Sequence, residues 1–201
     1  LIKENVMEMV FENTKMADQI LSLFSEIDWI ISNDLELQQI SCGQLYDLMQ
    51  TVRQDLAEFT EIKNQHIILS QPQDNFAGQY VAINRDFIKR ALHEVTINAM
   101  KFSEPGSDII FILNLQEKNA VVSVISSPEP DPDGRLGIPM KYENLVFEPF
   151  FKLAKTVHES YKSLDFGLGL TVVENIIKRH NGAISIANIK DYSNNGPEPA
   201  V

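Results

Sequence analysis

The segment of residues 93–102, which reads HEVTINAMKF, carries the side chains of this chain that are best suited to chemistry. Glu94 and Asn98 are four residues apart and share a face if the segment is helical, and Lys101 lies about one turn beyond Asn98. A carboxylate, an amide oxygen and an ammonium offer a base, a ligand for Mg²⁺ and a counter-charge for phosphate. The spacing therefore fits a magnesium–nucleotide site, and it also fits an amphipathic helix with a solvated polar stripe.

Two later segments decide between these interpretations. Residues 147–152 read FEPFFK, and residues 165–170 read DFGLGL. Residues 93–102, 147–152 and 165–170 resemble, in this order, the N box, the F box and the second glycine box of the sensor histidine kinases. These kinases belong to the GHKL ATPase superfamily with gyrase and MutL. Either later segment alone would be a weak signal, but three motifs in order are specific, and the resemblance covers nearly the whole chain.

The resemblance implies both a fold and an activity. The expected fold class is α+β, a two-layer α/β sandwich of the Bergerat ATP-binding type preceded by a long dimerisation helix. The expected function is that of the ATP-binding catalytic domain of a two-component sensor histidine kinase, with ATP and Mg²⁺ as cofactors. Such a domain transfers the γ-phosphoryl group of ATP to a histidine, and a response regulator receiver domain is the expected partner.

The resemblance also assigns roles to single residues. Asn98 would bind Mg²⁺, and Lys101 would pair with phosphate. Glu94 would act as a general base or as a polar residue near the bound metal ion. Lys152 falls where the family often has a basic residue of the lid, which is expected over about residues 141–165. The second glycine box would bind phosphate, because glycines without Cβ and a helix N-terminus let backbone amides approach an anion; its residues are Gly167, Leu168, Gly169 and Leu170.

The first glycine box departs from the family pattern Asp-x-Gly-x-Gly-Ile-Pro. Counting back from Gly137 places Asp133 at the position that contacts adenine, with Asp131 as the fallback, while Arg135 replaces the first glycine of the pattern. The preceding loop contains three prolines, at positions 128, 130 and 132, which stiffen and displace it. This change supports an alternative function, a degenerate kinase-like dimeric regulatory module with weak or no nucleotide binding.

None of the four histidines fits the phosphoacceptor pattern of the family, a histidine followed by a Glu/Asp-Leu-Arg-Thr-Pro type sequence. His93 stands beside Glu94 but lacks that context, and His180 is expected to interact with the end of its helix. The acceptor histidine is therefore expected outside this fragment, which would not autophosphorylate.

Composition limits the classes of partner. The 201 residues carry a net charge of −11, which argues against a nucleic-acid partner because phosphate backbones attract basic surfaces. The single cysteine, Cys42, excludes an internal disulfide, and no apolar run is long enough to cross a membrane. These features favour a cytoplasmic location without membrane contact by this fragment, although the parent protein could still be anchored in a membrane.

Residues 1–40 show apolar side chains at alternating spacings of four and three, which predicts one long helix with a heptad pattern. A second apolar stripe beside the first makes the face wide enough for a four-helix bundle, so a homodimer through residues 1–40 is expected. The predicted domains are a partial dimerisation and phosphotransfer helix over residues 1–42 and an ATP-binding catalytic domain over residues 43–201. Residues 41–43 interrupt the pattern and predict a hinge.

The remaining periodicities predict helices over about residues 45–63, 86–103 and 168–180. Strands are expected at residues 66–69, 80–83, 109–115, 120–125 and 183–189. Helices interleaved with strand pairs favour one mixed sheet with helices on one face.

Overall fold

The structure is a computed structural model that describes residues 2–117, 119–131, 134–153, 159–161 and 166–189. Its helices are α1 (Ile2–Ser32), α2 (Cys42–Asp55), α3 (Ala57–Thr60), α4 (Arg85–Phe102) and α5 (Gly169–Arg179). Its strands are β1 (Gln38–Ser41), β2 (His66–Leu69), β3 (Tyr80–Ile83), β4 (Asp108–Gln116) and β5 (Asn119–Ser126). Short 3-10 turns lie at Asp74–Phe76, Met140–Tyr142, Leu145–Phe147 and Glu159–Tyr161. The α+β class is confirmed.

The strands form two sheets in the described part of the chain, where the sequence predicts one. β1 pairs antiparallel with β3, while β4 is the central strand of a second sheet, parallel to β2 and antiparallel to β5. Alternate residues of β4 are fully buried under the helices, as expected for a strand with one face toward the core. The buried residues of α2, α4, α5 and β4 join in one hydrophobic core, which includes Leu48, Val52, Ile97, Met100, Ile109, Phe111, Val172 and Ile176.

The predicted helix over residues 1–40 is wrong in its last part, because α1 ends at Ser32. Residues 38–41 are a strand instead, since they pair with β3 and bury Ile40. Ser41 then begins α2 rather than a flexible hinge: its side chain accepts from the Gln44 amide at 3.1 Å, and the Gln44 side chain accepts from the Ser41 amide at 2.9 Å. This capping box satisfies two amides at the helix start, so tertiary pairing and capping override the extrapolated heptad.

The end of α1 packs on the rest of the chain. Trp29 stacks on Phe87 at the start of α4 with 5.4 Å between ring centroids, and Ile30 is buried. Phe24 contacts Phe150 in the predicted F box, with ring centroids 5.5 Å apart. The earlier part of the helix leaves apolar side chains exposed, among them Val6, Met7, Met9, Val10, Phe11 and Met16.

The predicted strand over residues 183–189 is not found, because residues 182–189 form no ladder with a described strand. The alternation that suggested it is real, since Ile184 and Ile186 are half-buried and their neighbours are exposed. Alternation reports which side chains face the core, but a strand also needs a neighbouring backbone to pair with. The Asn188 side chain instead binds the backbone of Ile138.

His180 joins the end of α5 to the start of α4. Its Nε2 accepts from the Asn84 amide at 2.9 Å, and its Nδ1 lies 2.6 Å from the Ile176 carbonyl oxygen, to which it donates. The Nε2 contact requires the neutral imidazole, because protonated Nε2 cannot accept a hydrogen bond, whereas Nδ1 can donate to Ile176 in either state. Burial lowers the pKa of His180, and the bond to Ile176 opposes that shift only in part.

We expect the His180 contact to make stability depend on pH. The unfolded histidine has a pKa near 6.5 and the folded one a lower pKa, so the stabilisation is fully present above about pH 6.5 and is lost as the pH falls through the folded pKa. His180→Ala should lower the free energy of unfolding by about 1–2 kcal/mol at pH 7 and by less at pH 5. Urea unfolding at both pH values measures this, with exposed His66→Ala as control; an equal loss at both would contradict the account.

Candidate nucleotide-binding site

Helix α4 positions the three residues of the first motif. Asn84 caps the helix, accepting from the Phe87 amide at 3.1 Å, and the apolar residues of one face are buried in the core. Glu94 and Asn98 are half-buried and lie on the face that looks toward the start of α5. The predicted common face is therefore present, and it meets the second glycine box.

Gly169 is the point at which the two motifs meet. A Cβ placed on this glycine would lie 2.9 Å from Glu94 Oε2 and 3.8 Å from Asn98 Nδ2. Gly169 is also the first residue of α5, and no side chain caps that end of the helix. A carboxylate and an amide thus lie beside an uncapped helix N-terminus, where an anion such as phosphate is favoured by the exposed amides and by the helix dipole.

Gly167 forms the turn that leads into α5. Its φ is +71°, and a Cβ at this position would lie 2.6 Å from the Phe151 carbonyl oxygen and 2.9 Å from the Phe150 carbonyl carbon. The Gly167 carbonyl oxygen accepts from the Phe150 amide at 2.9 Å, so the F box and the glycine box are joined backbone to backbone. Only glycine fits here without strain. Between the two glycines, Leu168 is buried, while Leu170 is half-buried.

The Glu94 carboxylate affects the pKa of two neighbouring residues on α4. Burial lowers the pKa of Arg90, one turn earlier, and the Glu94 carboxylate opposes that shift. Burial also lowers the pKa of His93, with Glu94 and Asp55 acting in the opposite direction and Lys89 and Arg90 adding to the fall. These groups line an open cleft between α2 and α4. A lowered pKa keeps His93 neutral near pH 7, so it adds no positive charge beside Glu94.

Lys101 is placed differently from the expectation for a phosphate ligand. Its side chain is only 3% exposed, and its backbone carbonyl accepts from Lys63 Nζ at 2.7 Å. A phosphate could reach this ammonium only if the segments that cover it withdrew. Lys152, by contrast, is exposed and is the last residue of the F box. The roles of both lysines remain predictions.

The first glycine box is only partly described. Asp133 lies outside the described residues, so its adenine contact remains a prediction. Asp131, the fallback, is engaged in a tight turn: its Oδ1 accepts from the Arg135 amide at 2.8 Å. Gly137 has a φ of +71°, and the Asn188 amide packs against it while accepting from Ile138 N at 3.0 Å. The box is thus held by local turns and by Asn188.

Tyr161 belongs to the expected lid region and is almost fully buried. Its hydroxyl donates to the Met100 carbonyl oxygen at 3.3 Å, and its ring stacks on Phe59 with 6.2 Å between centroids. Burial raises the pKa of Tyr161, and the Glu129 carboxylate adds to the rise. A described part of the lid therefore packs against the end of α4, close to the loop that carries Glu129.

Sequence reasoning missed the residues that fix the end of α4. The Gln65 amide Nε2 donates to the Met100 carbonyl at 3.1 Å and to the Glu104 carbonyl at 3.2 Å, and Lys63 donates to two further carbonyls nearby. These contacts cross 35 to 40 residues of sequence. No local spacing could have predicted them, because neither residue shares an element with α4.

Comparison with known proteins decides the family. Residues 83–198 match the family described as histidine kinase-, DNA gyrase B- and HSP90-like ATPases, which is more than half of the chain. The chain belongs to this family. Its relatives include sensor histidine kinases, and the comparisons give no support to the degenerate alternative. Within the described residues, no helix has the length and apolar character needed to cross a membrane.

Particular relatives are consistent with this assignment. The sensor histidine kinase WalK of Bacillus subtilis (strain 168) is 28% identical over 128 residues, 63% of this chain and 19% of WalK. The heme sensor protein HssS of Staphylococcus aureus (strain JH9) is 27% identical over 136 residues, 67% of this chain and 26% of HssS. The chain thus spans about a quarter or less of these relatives. In structure, the histidine kinase ThkA in complex with response regulator protein TrrA shares the fold with a TM-score of 0.63 and 20% identity, covering 88% of this chain and 46% of ThkA.

Proposed function

We propose that this ATP-binding domain transfers the γ-phosphoryl group of Mg-ATP to a histidine supplied by another segment or protein. The observation that carries the proposal is the meeting of Glu94 and Asn98 at Gly169, beside the left-handed turn at Gly167. A base, an oxygen ligand and an uncapped helix N-terminus lie there within a few ångströms. Phosphoryl transfer needs chiefly such positioning and charge stabilisation.

The residues present fit a magnesium nucleotide. Asn98 offers the amide oxygen that would hold Mg²⁺, an ion that keeps several waters and needs few protein ligands. The space beside Gly167 and Gly169 has no Cβ to fill it, so backbone amides at the start of α5 could contact phosphate oxygens. When bound, Mg-ATP supplies the phosphoryl group and part of the charge neutralisation.

The chain's own side chains would prepare the attacking group. Glu94, with its carboxylate beside Gly169, would accept the proton of an acceptor imidazole or orient it for attack. Neutral His93 adds no positive charge to that of Arg90, which already lies near this carboxylate. The exposed Lys152 would bring a positive charge over the phosphates as the lid closes. Lys101 would also contact phosphate if the segments that bury it moved away.

We also propose the partners that the sequence suggested. A second copy of this chain would cover the exposed apolar residues of α1, whose stripes repeat with heptad spacing, and a response regulator receiver domain would take up the phosphoryl group. The domain division after residue 42 remains a prediction, although β1 joins residues 38–41 to a strand of the following part. We also propose a cytoplasmic location, because the single cysteine fits a reducing compartment.

Phosphoryl transfer can be tested with a separate helical protein that carries an acceptor histidine followed by the Glu/Asp-Leu-Arg-Thr-Pro pattern. Incubation with this chain, Mg²⁺ and ATP labelled at the γ-phosphate should give an acid-labile, base-stable phosphate on that histidine. Asn98→Ala should abolish the label, while Asn114→Ala, on the outer side of β4, should retain it. Label that persists in Asn98→Ala would contradict the proposed role of Asn98.

A further inference from the structure

The Lys63 ammonium makes three hydrogen bonds that no motif predicted. It donates to the carbonyl oxygens of Lys101 at 2.7 Å and of Ser103 at 2.9 Å, both at the C-terminal end of α4. It also donates to Glu129 Oε2 at 2.8 Å, and the Lys63 side chain is only 15% exposed. All three N–H donors of the ammonium are therefore satisfied, and its charge lies at the negative end of the helix dipole.

Glu129 belongs to the proline-containing loop that leads into the altered first glycine box. This loop lies along the end of α4: the Glu129 amide donates to the Phe102 carbonyl at 2.8 Å, and the Glu104 amide donates to the Ser127 carbonyl at 3.0 Å. Ser103 and Pro128 form an isolated antiparallel bridge between these two hydrogen bonds. The loop is thus fixed to the helix that carries Asn98, and Lys63 connects the two at their junction.

We infer that Lys63 is a positioning residue for the adenine end of the nucleotide site, because its bonds to Glu129 and to the end of α4 set where the described part of the first glycine box, residues 134–139, lies relative to the N box. This inference rests on the proposed function. The box lies four to ten residues beyond Glu129, and the Asn188 side chain binds its C-terminal part through Ile138. The Lys63–Glu129 pair fixes the loop that precedes the box in sequence. In this chain the pair would compensate for a box whose first glycine is replaced by Arg135.

A positioning role makes a prediction that a purely structural role does not. Loss of the Lys63–Glu129 bond should weaken binding of ligands with an adenine base, but not of inorganic tripolyphosphate, which needs only the Asn98 and Gly169 end of the site. We expect Lys63→Met and Glu129→Met each to lower the affinity for Mg-ATP by about tenfold, in line with the loss of a charge-assisted hydrogen bond. Both should leave the affinity for Mg-tripolyphosphate within about twofold.

The experiment titrates the full chain and its variants with Mg-ATP and with Mg-tripolyphosphate by calorimetry. The double variant should lose no more affinity than Lys63→Met alone, since that variant already lacks the bond to Glu129. Lys178→Met is the matched control, because Lys178 pairs with Glu174 at 2.8 Å on the exposed side of α5. Glu129 is 49% exposed, so Glu129→Met tests the bond even if Lys63→Met fails to fold.

Hydrogen exchange without ligand gives a readout independent of nucleotide. The amides of Glu129 and Asp131, both bonded within or beside the loop, should exchange faster in both variants, while the Phe150 amide, bonded to Gly167, should not. Equal loss of ATP and tripolyphosphate affinity, or unchanged ATP affinity, would overturn the inference. Failure of the unaltered chain to bind either ligand would overturn the proposed function and the inference with it, and so differs from failure of the inference alone.

Discussion

Glu94→Gln is expected to slow phosphoryl transfer to the acceptor histidine by about 100-fold, at the low end of what a positioned general base contributes. The substitution keeps the shape of the side chain beside Gly169 but removes the negative charge and most of the basicity. Affinity for Mg-ATP should stay within about threefold or become tighter, because the carboxylate that is removed would repel phosphate at short range.

The measurement is the initial rate of phosphohistidine formation at saturating Mg-ATP, together with the nucleotide affinity of the same preparation. Glu174→Gln is the matched control, since Glu174 lies on α5 in a pair with Lys178 and outside the proposed site. A rate within a few-fold of the unaltered chain would show that Glu94 is only a polar residue of the helix surface. An equal fall in rate and in affinity would instead assign it to nucleotide binding.

Gly167→Ala is expected to destabilise the domain by about 3 kcal/mol, the sum of a left-handed backbone cost for alanine and an overpacking cost. The added Cβ would meet backbone atoms of Phe150 and Phe151, which cannot move aside as a flexible side chain can. The same displacement would disturb the hydrogen bond between Phe150 N and Gly167 O, so nucleotide affinity should fall as well.

Another glycine, Gly78, separates the contributions to this loss. Gly78 has nearly the same φ, +73°, with nothing within 4 Å of an added Cβ, so Gly78→Ala should cost only about 1 kcal/mol. Urea unfolding of both variants measures the difference, which reports the backbone contact at Gly167. Similar losses at the two positions would contradict the close approach of the F box and the glycine box.

The parts of the fold that local pattern could predict were those with a strong period or a cap. The helix around HEVTINAMKF and the β4–β5 pair follow from such signals. The end of α1 did not, because the heptad pattern continues through residues that pair with β3. Likewise, residues 183–189 alternate as a strand does, but alternation cannot provide a pairing partner.

The candidate site likewise combines features that local sequence predicts with features that depend on long-range contacts. The shared face of Glu94 and Asn98 follows from a spacing of four residues, whereas their place beside Gly169 was expected only from the family resemblance. The burial of Lys101 and the contacts of Lys63 could not be predicted. They depend on which loop lies over the end of α4, and that depends on long-range packing rather than on local sequence.

The central claim is that Asn98 and the second glycine box form a magnesium-dependent ATP site. Calorimetric titration of the purified chain with ATP and ADP, with and without Mg²⁺, tests it most directly. We predict binding that depends on Mg²⁺ and that weakens by about 10- to 100-fold in Asn98→Ala but not in Asn114→Ala, as expected when a metal site loses one of its holding groups. The absence of binding by the unaltered chain up to about 1 mM nucleotide, which corresponds to less than about 4 kcal/mol of binding free energy, would contradict the account.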